Sequence, residues 1–421
     1  MRILRVVQDY WPSTGGNERW GFQHDRWFTE TAGDEVQVLV LRPEWYFNTP
    51  RFRDLMKGFT FPGPFDVPDL PKVRAYQEIF PNCGSWRKAR AYYKCIRPWL
   101  NESVDVVITQ LFQRHAYLSW KDWPVAFEAP WLLACTYSYH NPGCRRSALM
   151  CAACFRQGGP RWWLGDQMKL ALYRRFDLIL GDELIASDLR KVGMQDRVHI
   201  IRHIVTAGET TCRASEATQG EEKAMVDRFA RRFRFVLMQL NRLHPAKHPS
   251  LLLDTLERLP PDHGVVFAGD GPERPALEAR VNASDALRDR VLFLGAVDAN
   301  CIGSIAEHVS AFALTSKVSN HNTALFETMG FGIGPVVAVD CLDFPDEFQE
   351  MELILKVPPD PEQMARDIRQ LLENRQRCAA MVAAAKTYVE LHHSPSQMWA
   401  YRERLLELAD RYHSRRRSSA T

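Results

Sequence analysis

Two series of short apolar runs, each run followed by a helical stretch, constrain this chain more than any other feature. In the first, RILRVV (2–7) is apolar enough for a buried strand, and Val36, Val38 and Val40 alternate as a second one. Between them lie the turn QDYWPSTGGNE and a helix expected from about Asn17 to Thr31. Trp20, His24, Trp27 and Phe28 share one face of that helix. Strand, glycine-rich turn, helix, strand is a βαβ unit, and its crossover implies a parallel sheet. VDVVIT (104–109), PWLLACTYS (130–138), DLILG and VHIIRHIV read as further strands of this half. The second series runs FRFVLMQL, PSLLLDTLERL, GVVFAGD, ERPALEARV, RVLFLGAV, SAFALTS, the helix from Thr323 to Met329, PVVAVD, and helices from Pro361 onward.

The expected architecture is therefore α/β, with two Rossmann-like doubly wound domains in series. The polar, charged stretch 207–233 has no strong strand and is expected to be the linker. Residues 1–215 form the first domain and 216–394 the second. A helix over about 395–413 is expected to pack back on the first, and 414–421 to be a disordered basic tail. Residues 43–85, rich in Pro, Phe, Trp and Tyr, interrupt the rhythm and read as an insertion over a cleft. Ligands of such sheets bind at the carboxyl ends of the strands, so facing domains would place the site in the cleft between them.

Composition narrows the function classes. Over 421 residues, 46% hydrophobic and 25% charged is an ordinary globular balance, and a net charge of +3 gives no argument for nucleic acid. No run of about 18 apolar residues is present, so no spanning helix is expected, and MRILRVVQDYWP is too short in apolar core for a signal peptide. A cytoplasmic protein with mostly reduced, packed cysteines is expected among its 10. Cys135, Cys144, Cys151 and Cys154 include a single C-x2-C pair, compatible with a zinc knuckle but equally with local packing or a disulfide. The basic aromatic stretch SWRKARAYYKCIRPWL is either a solvated helix face or a contact for an anionic membrane surface.

Three places carry residues suited to a phosphorylated ligand. In SNHNTALFETMG (319–330), Asn320 or Asn322 can cap a helix whose first amides, at Thr323 and Ala324, are open to an anion. Glu327, one turn on, can accept hydrogen bonds from hydroxyl groups. A capped surface helix is the plainer reading. Gly15-Gly16 at a helix start allows close backbone approach, or is only a turn. In NRLHPAKH (241–248), Arg242 and Lys247 follow a strand directly. An arginine grips phosphate bidentately and a lysine adds a point charge, although such a pair is often just solvated.

Taken in order, DYWPSTGGNE, NRLHPAKH, AGDGPE (268–273), VLFLGAV (291–297) and LFETMGFGIGPVVAVDCLDFP resemble the motifs of the family 4, group 1 type glycosyltransferases of the GT-B fold. The resemblance covers nearly the full length, and the cysteine-rich stretch resembles a feature of a subset of that family. It implies a retaining hexosyltransferase that uses a nucleotide-diphosphate sugar, UDP- or GDP-linked, with no metal or other cofactor. It implies a glycan, lipid-linked or small-molecule acceptor, a role in polysaccharide biosynthesis, and possible peripheral contact with an anionic membrane. By this analogy Gly15 and Gly16 approach the donor, Arg242 and Lys247 neutralise the diphosphate, and Thr323 and Ala324 offer amides to a phosphate. Glu327 binds ribose hydroxyls, Gly295 to Val297 lie against the base, and Ser319 and Asn322 flank the donor. The chain departs from the family at Ser319, where a Glu is usual, at Gln110, where a His is usual near the acceptor and sugar, and at Asn241, where a Gly is usual. Gln110 can hydrogen-bond a sugar hydroxyl but cannot act as a base. Two other classes compete: a non-catalytic GT-B protein that binds nucleotide-sugar or glycan, and a sugar-nucleotide epimerase, which would need a pair of acidic residues in the cleft.

Overall fold

The computed structural model describes residues 1–7, 10, 16–43, 57–67, 70–80, 94–100, 103–109, 125–128, 174, 176–181, 189, 193–202, 204–205, 216–297, 302–317, 323–340, 348 and 350–420. They divide into two compact units. The first comprises the described residues up to Ile204 together with those from Pro395 onward, and the second runs from Val205 to Ser394.

In the first unit, β1 (Arg2–Val7), β2 (Glu35–Pro43), β4 (Arg74–Phe80), β5 (Val106–Thr109), β6 (Val125–Glu128), β7 (Leu178–Gly181) and β8 (Val198–Ile200) pair in parallel. Among the described residues of this unit only β3 (Gly63–Phe65), on β4, is antiparallel. The sheet order is β3-β4-β2-β1-β5-β6-β7-β8, so the winding direction reverses at β1, between β2 and β5. Helix α1 (Gly16–Arg26) continues as a π-helical turn, Trp27–Thr31. Its apolar face buries Trp20, Trp27 and Phe28 as the spacing requires. Inside, Arg5 donates to Asp25 Oδ1 (2.5 Å) and Tyr10 Oη donates to Asp25 Oδ2 (2.7 Å), with both Arg5 and Asp25 fully buried. This paired charge fastens α1 to β1. The last helix, α9 (Gln397–Ala420), completes the same core with Met398, Tyr401, Leu405 and Leu408. Arg402 grips Asp34 bidentately at 2.7 and 2.8 Å. Residues 414–420, expected as a disordered tail, continue this helix. No Gly or Pro follows Pro395 to stop it.

One expectation about this unit's sheet needs correction, and another falls outside the described residues. The stretch 43–85 is not wholly an insertion, since β4 is an inner strand of the sheet. Gln77 hides its period: Val73, Ala75 and Gln77 all face inward, and Gln77 Nε2 donates to the Thr60 carbonyl at 3.2 Å. The expected strand at 130–138 lies outside the described residues.

The second unit is a six-stranded parallel sheet in the order β11-β10-β9-β12-β13-β14. Its strands are β9 (Phe235–Leu240), β10 (His263–Ala268), β11 (Val291–Gly295), β12 (Ala311–Leu314), β13 (Val336–Val339) and β14 (Leu355–Val357). In chain order this is 3-2-1-4-5-6, the doubly wound arrangement, and it reverses between β9 and β12. The stretch taken as a linker contains helix α2 (Glu216–Ala230), which buries Val226, Phe229 and Ala230 in this unit's core. An apolar face that narrow, on an otherwise charged helix, has little signal in sequence. The other helices are α3 (Pro249–Leu256), α4 (Arg274–Ala283), α5 (Ile302–Ile305), α6 (Thr323–Phe331), α7 (Pro361–Glu373) and α8 (Arg375–His392).

Candidate functional site

In a doubly wound sheet the crevice for a ligand opens beyond the carboxyl ends of the two strands between which the order reverses. In the second unit those are β9 and β12, which pair directly, Ala311 with Leu237 and Phe312 with Met238. The chain leaves β9 into Asn241–His248 and leaves β12 through Thr315–Lys317. After five residues outside the description, 318–322, it enters α6. The topology thus gathers Arg242, Lys247, Thr323, Ala324 and Glu327 beyond one strand pair.

Arg242 is exposed. Lys247 closes a one-turn 3-10 helix, Pro245–Lys247, in which the His244 ring accepts from the Ala246 amide at 3.2 Å. The sequence reading missed Lys317, an exposed cation just past β12. Its signal was a lysine directly after the apolar run AFAL and two hydroxyl residues. Among the described residues neither Arg242 nor Lys317 has an ion-pair partner. Unpaired cations outside strand ends leave a positive field for an anion. His248 feels this charge: burial lowers its pKa first and Lys317 lowers it further, while Asp254 works the other way.

Helix α6 is held firmly. Leu325, Phe326, Thr328, Met329 and Gly330 are buried, and Phe326 stacks on His393 at 3.9 Å. At Gly330 a Cβ would come within 2.8 Å of Val205 Cγ1 and 3.3 Å of Val389 Cγ1, so the glycine sets the close approach to α8. Thr323, Ala324 and Glu327 are half-buried on the remaining side.

The glycines of AGDGPE act on the β9 loop. A Cβ on Gly269 would lie 2.0 Å from the Asn241 carbonyl oxygen, and one on Gly271 2.3 Å from that of Leu243. The Leu243 amide donates to Asp270 O (3.0 Å), and the Glu273 amide donates to Leu243 O (3.1 Å). The two loops are laced together, and that lacing fixes the backbone beside Arg242. Asn241 Nδ2 is buried with no acceptor among the described residues. Gly295 ends β11 at φ 84°, a left-handed value suited to glycine, and Arg274 Nη1 lies 2.9 Å from where its Cβ would be. Val297 is half-buried against the core just beyond it.

In the first unit Gly16 opens α1 after β1, at that sheet's own point of reversal. Gly15, Gln110, Ser319, Asn322 and the four cysteines Cys135, Cys144, Cys151 and Cys154 lie outside the described residues. Among the described residues no group of three or more His, Cys, Asp or Glu could hold a metal ion, and no helix is long and apolar enough to cross a membrane.

Residues 224–388 match the family model described as "Glycosyl transferases group 1". No curated protein matches the chain. Among solved structures, sucrose-phosphate synthase of Thermosynechococcus elongatus is similar with a TM-score of 0.69 at 14% identity, covering 100% of both chains. HepE of Anabaena, in complex with UDP, is similar with a TM-score of 0.64 at 17% identity, covering 97% of this chain and 100% of its own. WaaG, described as a glycosyltransferase involved in lipopolysaccharide biosynthesis, has a TM-score of 0.60 at 14% identity, over 94% and 98% of the two chains. At these identities the likeness is one of fold: two Rossmann-like units of the GT-B type.

Proposed function

We propose that this chain is a glycosyltransferase that moves a hexose from a nucleotide-diphosphate sugar to a glycan, lipid-linked or small-molecule acceptor, with retention of configuration. One observation carries the reading. Arg242, Lys247, Lys317 and the start of α6 all follow the two strands at which the second sheet reverses, within the segment that matches the group 1 family. The leaving group in such a transfer is an anionic diphosphate. Cations and helix amides set in advance toward that charge lower the barrier as it develops, and removing one such donor typically costs ~10²–10³ in rate. Glu327, half-buried one turn into α6, suits the ribose hydroxyls. Gly295, at the end of β11, and Val297, just beyond it, suit the base. Gln110 cannot take a proton, so the leaving phosphate itself is assigned the acceptor proton. A cytoplasmic protein with peripheral contact to an anionic membrane is consistent with the basic aromatic stretch 85–100.

HepE is described in complexes with UDP and with UDP-glucose, which makes UDP-sugars the first donors to try. Release of free nucleotide from UDP-, GDP- and ADP-sugars, with and without candidate acceptors, is the direct test. Arg242→Ala and Lys247→Ala are each expected to weaken nucleoside-diphosphate binding about 10-fold or more, the scale of a lost charge-assisted hydrogen bond. Unchanged affinity in both would remove the site. Binding without turnover would favour a non-catalytic protein, and interconversion of the donor sugar an epimerase.

A further inference from the structure

Where β9 and β12 end, the core holds three polar side chains. Gln239 is 1% exposed, and Thr315 and Ser316 are fully buried. All three converge on one short turn. Thr315 Oγ1 donates to the Lys247 carbonyl at 2.8 Å, and Gln239 Nε2 reaches the same oxygen at 3.4 Å and Thr315 Oγ1 at 3.0 Å. Ser316 Oγ donates to the Ala246 carbonyl at 3.1 Å, and the Lys317 amide donates to that carbonyl at 3.0 Å. Buried hydroxyl and amide groups are unfavourable unless bonded, and apolar residues of the same size would fill the space as well. Their distribution is therefore informative: they tie the turn that carries Lys247 to both strands at the point of reversal.

The backbone beyond that turn is unusual as well. His248 has φ 47° and ψ 51°, the left-handed region that a residue with a Cβ avoids, and Pro249 follows it directly. Such a conformation persists only where its surroundings over-determine it. Hydrogen bonds to the two preceding carbonyls do so here.

We propose that Thr315, supported by Gln239 and Ser316, is a positioning residue that fixes the backbone of Lys247 for an anionic ligand. This rests on the reading of Lys247 as a diphosphate contact and deepens it. A lysine on a mobile turn must be ordered when its ligand arrives, and one on a fastened turn gives up less freedom. The same node includes the Lys317 amide, so the cation after β12 and the cation in the β9 turn start from one fastened piece of backbone.

The test is a double-mutant cycle by titration calorimetry, using whichever of UDP, GDP or ADP the wild-type chain binds. Thr315→Val keeps the shape and removes the hydroxyl; Thr315→Ser keeps the hydroxyl. Thr315→Val is expected to weaken binding about 10-fold in the wild-type background and less than about 2-fold on top of Lys247→Ala. Thr315→Ser is expected to restore most of the affinity. Ser316→Ala, read in the same cycle, is expected to give the same non-additivity and serves if Thr315→Val does not fold. Equal losses in both backgrounds, or unchanged affinity in the folded variants while Lys247→Ala still weakens binding, would overturn the positioning role alone. If the wild-type chain binds none of the three nucleotides, or Lys247→Ala does not weaken binding, the reading beneath it falls and the positioning role with it.

Discussion

His248 joins two costs at one residue: a left-handed backbone and a ring set among charges and apolar atoms. Its Nδ1 is buried without a hydrogen-bond partner among the described residues. Its pKa is lowered from 6.5 by burial and then by Lys317, so the folded chain binds a proton there less readily than the unfolded chain does. His263 and His199 are lowered too, chiefly by burial. The stability owed to these neutral rings is full above the unfolded value of 6.5 and is lost as pH falls through the lower folded values. The wild-type Tm is therefore expected to drop between pH 7.5 and pH 5. His248→Asn tolerates the left-handed backbone and cannot take the proton, so its Tm should fall less over that range. Equal falls would remove His248 from the account. Cys95 behaves differently. Burial, and then Glu78, push its thiol up to about 11, so it is a packed group and a poor nucleophile at neutral pH.

Elements differ in how plainly the sequence announces them, and the reasons are physical. β12 (AFAL) and β13 (VVAV) are covered on both faces and so read as unbroken apolar runs, and β9 and β10 read nearly so, with Gln239 and His263 as their polar members. β4 carries Gln77 on its inward face, which breaks the apolar alternation although its amide nitrogen is bonded inside to the Thr60 carbonyl. Among its described side chains helix α2 shows Val226, Phe229 and Ala230 to the core amid charged residues, and a linker has the same composition. Phe229→Ala is expected to cost about 3–5 kcal/mol in urea unfolding of the second unit, the range for a truncated core phenylalanine. A loss under about 0.5 kcal/mol would return the stretch to a linker. The candidate site divides along similar lines. Arg242, Lys247 and Glu327 stand out because charge next to an apolar strand or helix is conspicuous. Gln239, Thr315 and Ser316 do not, because a Gln, Thr or Ser at a strand end is ordinary turn chemistry until its bonds are seen. The glycines of AGDGPE were legible as a motif, but the carbonyls of Asn241 and Leu243 that require them were not.

For the whole molecule the decisive fact is the path of the chain. Among the described residues the second unit is one continuous stretch, Val205–Ser394, whereas the first needs α9 from beyond it. Tyr401 packs edge-on to Phe28 at 5.6 Å and Trp399 edge-on to Trp27 at 4.7 Å, and Arg402 holds the buried Asp34 carboxylate. A fragment of residues 205–394 is expected to fold alone and, under the proposed function, to retain nucleoside-diphosphate binding. A fragment of residues 1–204 is expected to lack cooperative unfolding, and adding 395–421 as a separate peptide should restore part of it. A cooperative transition in the 1–204 fragment alone would show that α9 is an accessory. Domain order along a chain normally sets folding order as the ribosome delivers it. The need for α9 is expected to reverse that sequence of events. The half synthesised first waits with the Trp27–Phe28 face uncovered until the other half has been made. The unit bearing Arg242 and Lys247 can then finish folding ahead of the one that precedes it, and the waiting half is the stage at which a chaperone has something to hold.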